Sequence, residues 1–427
     1  MKLKVILYLV LIYSFVNCKG QNDNPIIFDQ VWNTVNEHFY DPNFNGTNWD
    51  EKREEYKPQI ENCKNTDTLF TLLNKMLFEL NSSHCGVGLT SELINNVSPY
   101  IFKNGEVGID VRIVENQIII SKVLKNSEAE IANFKPGYII EKIDGLTIVD
   151  IEKLVKYKPP INNRNRKFHF TSEVLRLIYG QSGSSVKIDY LDEYNQPNSK
   201  VLTRTVRLNG SRIYKGMPIA YLESNSYFIS KNIAYLTFNT FNSANIEQVL
   251  TNLETVNNSK GLIIDLRGND GGSIEEMKLL LGRFVSKREN YGTYMNRNEQ
   301  NEDFIEPIGT KYQGKVVLLV DEMSISGAEN MAGIFKQLNL GKVMGNQTPG
   351  QMLWGNGYSI NDSINLVIPI YKLKYSNGFN PENNGIKPDI EIKLNRNDLL
   401  NGNDSQLNMA INYLNKLLVH SLLMSTK

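Results

Sequence analysis

The chain has 427 residues, 41% hydrophobic and 22% charged, a mix that excludes wholesale disorder and suits two or three domains with sizeable cores. Its 46 Lys and Arg balance 46 Asp and Glu, so no net field draws nucleic acid or an anionic surface. A nucleic-acid partner is not expected.

The first stretch, "MKLKVILYLVLIYSFVNCKGQN", sets Lys2 and Lys4 ahead of an apolar run from Val5 to Val16, then turns small and polar. That run is too short for a hydrocarbon core of about 30 Å and has the shape of a secretory signal. Residues 1–20 are therefore expected to export the chain to the periplasm or cell envelope, or beyond it. Two endings are open: lipid attachment at Cys18, or cleavage near Gly20 without a lipid. Phe15, Val16 and Asn17 fit the usual bacterial lipobox poorly. Past the signal only Cys63 and Cys85 are left, which make no disulfide framework. His38, His84, His169 and His420 are scattered, with no H-E-x-x-H and no paired C-x-x-C, so no metal is expected.

Residues 21–100 read as a helical segment. In "FDQVWNTVNEHFYD" Phe28, Val31, Val35 and Phe39 share one face, and "DTLFTLLNKMLFEL" repeats the pattern from Leu69 to Leu80. The signal stops at the polar turn "NSSHCGVGLT". Residues 101–208 change character: "VGIDVRI", "QIIISKVL", "YIIEKIDG", "SSVKIDYLDE" and "KVLTRTVRL" are short β-type runs, with one short helix at "NSEAEIANF". The basic stretch 160–178 reads as a solvated loop or helix face.

Residues 209–427 alternate strand and helix. "IAYLTFNTF" is a strand, and Ile246, Val249, Leu250 and Leu253 form a helical stripe. "GLIIDLR" is a continuous apolar strand of the kind buried on both faces, followed by "GNDGG" and a helix from Ser273, whose Glu276 suggests a capping box. Then come "KVVLLV", the turn "DEMSIS", the helix "AENMAGIFKQL" and the strand "GKVMGN". Such units predict a mixed, largely parallel sheet with sites at the carboxyl ends of its strands, so loop 268–272 and turn 322–327 are expected to face one another.

The glycines of "DLRGNDGG" leave amides uncovered before a helix start, suited to an anion or developing oxyanion, or simply to a tight turn. Ser326 stands at a strand–turn–helix junction, where a nucleophile gains an oxyanion donor from the helix start. Ser326 to Glu329 is also S-x-x-E, the capping-box pattern, and no base lies beside it. His84 lies in a polar turn, either as a structural or surface residue or as a base. Its neighbour Cys85 points to the other side of an extended chain and makes an awkward partner.

"GLIIDLRGNDGG", "VVLLVDEMSISGAENMAGIFKQLNLGKVMGNQTPGQ" and "PENNGIKPDIEI" resemble, in order and spacing, the tail-specific or C-terminal-processing serine proteases. "VGIDVRIVENQIIISKVLKNSEAEIANFKPGYIIEKIDG" looks like a PDZ domain, and "VWNTVNEHFYD…LLNKMLFELNSSHCGVG" like the family's N-terminal helical segment. In the Ser–Lys branch the base would fall on Gln351, which cannot act as one. The tricorn-core branch, with a Ser-His-Ser-Glu tetrad, fits instead. The resemblance implies Ser326 as nucleophile, His84 as base, Ser83 orienting the imidazole, Glu382 polarising Ser83, and the Gly271 and Gly327 N–H groups as oxyanion donors. Cys85 stands where this branch has Thr, and Gly327-Ala328 where it has Ala-Ser. Glu128, Asn133 and Tyr138 replace the usual Pro, Gly and Asp of the PDZ-like region.

The expectation is an exported serine endopeptidase with a crotonase/Clp-like α/β catalytic domain, acting on polypeptides without a cofactor. The alternative is a catalytically inactive protein of the same fold that binds peptides or a hydrophobic ligand. With His84 as base, activity is expected to rise through a pKa near ~6.5.

Overall fold

The computed structural model describes residues 23–89, 105–155, 163–206, 211–212, 220–362 and 364–425. The expected export signal, with Cys18, lies outside the described residues. No helix of the described residues is long and apolar enough to cross a membrane.

Three helices open the chain: α1 (Asn24–His38), α2 (Trp49–Glu61) and α3 (Thr66–Phe78). Phe28, Val31 and Val35 of α1 share one core with Leu69, Leu73, Met76 and Leu77 of α3, as the apolar spacing predicts. Within the expected helical segment, α2 shows no apolar stripe in the sequence, because it buries only Trp49, Tyr56 and Ile60 along a charged helix. Its start is fixed locally: the Asn48 side chain accepts the Glu51 N–H. After α3 the chain turns through residues 81–85 into β1 (Gly86–Leu89).

The next module comprises β2 (Ile109–Val114), β3 (Gln117–Val123), α4 (Glu128–Ile131), β4 (Ile139–Ile143), β5 (Leu146–Thr147), α5 (Ile148–Val155), α6 (Asn163–Ile178), β6 (Ser185–Leu191) and β7 (Pro197–Thr203). Its sheet runs β2-β3-β4-β6-β7 with β5 against β4. The stretch expected to be solvated is α6, a packing helix. Phe170, Val174, Leu175 and Ile178 enter the module's core, because its apolar residues gather toward the end while the basic ones crowd the start. Met323, from the turn 321–326, joins the same core. A small pair, β8 (Ser211–Arg212) with β9 (Ala220–Tyr221), follows.

The last module contains β10 (Ser224–Phe228), β11 (Ile233–Phe238), α7 (Ile246–Thr255), β12 (Gly261–Asp265), α8 (Ile274–Leu281), β13 (Glu289–Met295) and β14 (Gln300–Ile305). It continues through β15 (Lys315–Val320), α9 (Gly327–Gln337), β16 (Lys342–Gly345), β17 (Trp354–Asn361), β18 (Ile364–Tyr375), β19 (Ile390–Glu391), α10 (Arg396–Leu400) and α11 (Ser405–Ser425). One sheet has the order β10-β11-β12-β15-β16-β19 and is parallel except for β10. Apolar residues of α7, α8 and α9 cover one face, and Ala410 and Leu414 of α11 cover the other. Every residue of β12 is buried, as its unbroken apolar run requires.

A second sheet, β1-β18-β13-β14 with β17 against β18, was not anticipated. Its strands β13 and β17 carry Asn, Gly and Tyr in place of an apolar alternation. β1 pairs antiparallel with β18, Gly86 opposite Val367, so the N-terminal segment is sewn into the last module two residues after His84.

Arg112 of β2, 4% exposed, ties the middle module to the turn 321–326: Nε donates to Asp321 Oδ2 at 2.6 Å and Nη1 to Asp110 Oδ1 at 2.7 Å. Removing one partner leaves buried charge uncompensated. Arg112→Ala is expected to cost roughly 3–5 kcal/mol, read as a lower urea midpoint; a loss below about 1 kcal/mol would strip the tie of that weight.

Candidate active site

The strand β15 delivers the turn 321–326. Asp321 Oδ1 accepts the N–H groups of Gly268 and Met323, each at 3.0 Å. Ser324 is fully buried; its hydroxyl donates to Leu266 O at 2.7 Å and accepts the Asp321 N–H at 2.9 Å. The Ile325 N–H bonds Asn269 O at 3.0 Å. The turn is thus welded to the loop after β12, and the two expected loops do face one another. Ser324 is a structural pin. Ser326 keeps solvent contact within an otherwise buried turn.

Ser326 has φ 52° and ψ −114°, a left-handed conformation unusual for serine. Its N–H donates to Gln351 O at 3.1 Å, which holds it there. The capping-box expectation fails at this helix: Ser326 makes no side-chain cap, and Glu329 bonds the amides of Gly350 and Gln351, each at 2.7 Å, with none returned to Ser326. Ser273 likewise occupies a cap position without a side-chain cap.

Gly271 has φ 78°, and a Cβ there would stand 2.6 Å from Gly327 N and 2.6 Å from Ser326 Cβ, so only glycine fits. Its N–H, expected as an oxyanion donor, donates to Asn269 Oδ1 at 2.9 Å and is already committed. Gly327 is the first residue of α9, so its N–H has no acceptor within the helix. The next glycine amide, that of Gly272, makes no hydrogen bond among the described residues, and a Cβ on Gly327 would lie 3.3 Å from it.

The other wall comes from the turn before β1. Ser83 is 4% exposed, and its N–H and Oγ–H donate to Glu382 Oε1 and Oε2 at 2.9 and 3.0 Å. Ser83 Oγ lies 3.0 Å from His84 Nδ1. His84 itself has φ 53°, and a Cβ on Gly355 would come within 3.0 Å of His84 Cβ, so the glycine lets β17 pass under the imidazole. Glu382 Oε2 also accepts the Met352 N–H at 2.9 Å. The Leu353 N–H reaches Ser83 Oγ at 3.4 Å.

The structure therefore brings Ser83, His84 and Glu382 into one hydrogen-bonded row. Ser326 and His84 share no hydrogen bond among the described residues. What joins them is the segment 351–353, whose first carbonyl binds Ser326 and whose next two amides bind Glu382 and Ser83. Gln351, at the place of a Ser–Lys base, serves through its main chain. Among the described residues, no group of three or more His, Cys, Asp or Glu could hold a metal.

Burial lowers His84 to about 4, although its remaining solvent contact works against so deep a shift. Burial also raises Glu382 to about 7 and Glu329 to about 8, against the donors that each carboxyl accepts. Cys85 is pushed up to about 12 by burial and stays a thiol, unsuited to nucleophilic attack. Cys63 and Cys85 are both free. Sequence reasoning missed Arg112, Asn269 and the role of Glu329. For Glu329 the signal was present and misread, because S-x-x-E describes the spacing and not where the carboxylate turns.

Residues 232–392 match the peptidase family S41 and residues 21–78 the tricorn protease C1 domain. The chain is 22% identical over 415 residues to the tricorn protease of Thermoplasma acidophilum, covering 91% of this chain and 34% of that one. It is 26% identical over 289 residues to the carboxy-terminal processing protease CtpB of Bacillus subtilis, covering 67% of this chain and 55% of that one. The chain thus spans about a third to about half the length of these curated relatives. Among solved structures, the photosystem II D1 C-terminal processing protease superposes with a TM-score of 0.55 at 19% identity, over 87% of this chain and 93% of that one. Mature CPAF complexed with lactacystin gives 0.64 at 12%, over 95% and 99%. These likenesses show a shared mixed α/β fold.

A carboxyl raised by folding holds its proton more tightly in the native than in the unfolded chain. Its stabilising effect is complete below the unfolded value of 4.5 and is lost as pH rises through about 7. Between pH 4.5 and 8 the stability of wild type relative to Glu382→Gln is expected to fall by up to about 3 kcal/mol. Urea unfolding of both proteins across that range checks it, and a flat difference contradicts it.

Proposed function

We propose that this chain, whose residues 232–392 belong to peptidase family S41, is an exported serine endopeptidase acting through an acyl-enzyme at Ser326. The observation that carries the reading is the Glu382–Ser83–His84 row, bridged to Ser326 by residues 351–353.

The direction of its hydrogen bonds assigns the roles. With Glu382 ionised, the Ser83 Oγ–H points at the carboxylate, and Ser83 Oγ accepts the His84 Nδ1–H. The Nε2 lone pair is then left for the Ser326 proton. With Glu382 protonated the row can reverse, Ser83 donating to Nδ1, and the proton moves to Nε2 where it blocks the base. In the working form Ser326 Oγ attacks the scissile carbonyl as His84 takes its proton. The uncommitted amide of Gly327, with that of Gly272 beside it, meets the oxyanion. His84 then protonates the leaving amine, and a water activated by the same imidazole releases the acyl group.

Residues 101–208 form a PDZ-like domain in this reading, supported by the sheet β2-β3-β4-β6-β7 and by its packing on the catalytic turn through Met323 and Arg112. It engages an extended or carboxyl-terminal stretch of an exported or unfolded polypeptide. Residues 21–100 form the helical segment that supplies Ser83 and His84, and residues 209–427 the catalytic domain, whose parallel sheet supports a crotonase/Clp-like layout. Residues 1–20 act as the export signal, with lipidation at Cys18 one of its two outcomes. The absence of a Ser326–His84 hydrogen bond favours a second reading, a binding protein of the same fold. Catalytic hydrogen bonds are often long before substrate arrives, so the peptidase is preferred.

A serine-reactive phosphonate is expected to label wild type and leave Ser326→Ala unlabelled; equal labelling of both, or of neither, sinks the enzyme. His84→Ala should lose on the order of ten-thousand-fold or more in kcat on an unfolded polypeptide, and full activity would remove His84 from the mechanism. Because the base must be neutral and Glu382 ionised, the higher of the two values governs. Activity is expected to rise through about 7 as Glu382 loses its proton, not through an unshifted histidine. A kcat/KM profile with its midpoint near 4 would show that His84 acts without Glu382.

A further inference from the structure

Glu329 lies in the first turn of α9, three residues after Ser326, and is 0% exposed. A buried carboxylate at that place would ordinarily answer the free amides of its own helix. This one turns away. Its Oε2 accepts the Gly350 N–H at 2.7 Å and the Thr348 hydroxyl, and its Oε1 accepts the Gln351 N–H at 2.7 Å.

Those partners lead to the reacting groups in one covalent step. The carbonyl of Gln351 holds Ser326 by its N–H, and the next two amides reach Glu382 and Ser83. Thr348 Oγ1 also accepts the Ile386 N–H at 2.8 Å, and Gly350 O accepts the Asn383 N–H at 2.9 Å. One carboxyl thus fixes the segment 348–351 and, through it, the chain that follows Glu382. Burial raises the proton affinity of Glu329, and nearby Glu382 adds to it. A buried carboxyl is poorly suited to simple stabilisation, where an apolar side chain of that size serves as well or better.

We propose that Glu329 is a positioning residue for this peptidase: by gripping the Thr348 hydroxyl and the Gly350 and Gln351 amides, it sets the left-handed backbone of Ser326 and the placement of Glu382 together. The proposal rests on the tetrad reading above.

Glu329→Gln, Thr348→Val and Thr348→Ser would be compared with wild type on denatured casein, with active sites counted by phosphonate labelling. Glu329→Gln is expected to keep KM within about threefold and to lose roughly 10–100-fold in kcat per labelled site, the scale of a misplaced reacting group. Thr348→Val should lose kcat in the same sense, and Thr348→Ser, which keeps the hydroxyl, should restore it to within about twofold. An unchanged kcat per labelled site, with only the melting temperature or the labelled fraction reduced, would make Glu329 structural and overturn the proposal. Should Glu329→Gln not fold, the Thr348 pair decides alone: equal kcat in Val and Ser overturns it. A wild type that does not label removes the peptidase reading itself, an outcome separate from any of these.

Discussion

An amide enclosed by protein must find an acceptor, and the segment 350–353 has four in succession to satisfy. No strand or helix takes them. Two go to Glu329, one to Glu382 and one to Ser83, so the need for acceptors draws an acid from α9 and an acid from the loop at 382 to one short piece of chain. Two of its carbonyls are used as well, that of Gln351 by Ser326 and that of Gly350 by Asn383. Remove that obligation, and nothing in the two sheets would require Ser326 and the Ser83–His84 turn to share a wall.

The cost of the arrangement is visible in the backbone and in the charges. Ser326 and His84 both sit at positive φ, a conformation that side chains with a Cβ enter only when held, each at about 1–3 kcal/mol. Glu382 and Glu329 resist ionisation because they are buried. In the proposed mechanism, the form of Glu382 that orients His84 for proton transfer is therefore the form that folding disfavours, so stability and activity would run in opposite directions as pH rises from mildly acidic to neutral.

Much of this was readable from residue order, and the exceptions are instructive. Apolar runs such as "GLIIDLR" and "KVVLLV" marked the parallel strands, because full burial leaves a sequence no freedom to alternate. The second sheet escaped notice: β13 and β17 are half-exposed and rich in Asn, Gly and Tyr, with no clear period. α2 hid behind its charges and α6 behind its basic start, though each needs only three or four buried side chains to hold its place. The site residues came from family spacing, which named Ser83, His84, Ser326 and Glu382. The reach of Glu329, the commitment of Gly271 to Asn269, and the bridge through Gln351 depend on where side chains and carbonyls turn. No spacing rule carries that information.

The bonds from Ser83 to Glu382 join residues 299 positions apart. A chain made from its N-terminus has His84 near the beginning and Ser326 well along, and acquires Glu382 only when most of its length exists. Until then Ser83 has nothing to polarise it, and the loop across 350–353 has lost one of its anchors. If the proposed mechanism holds, a chain built in this order is inert while it is a nascent thread, and its competence to cut polypeptides arises together with its ceasing to be an unfolded one.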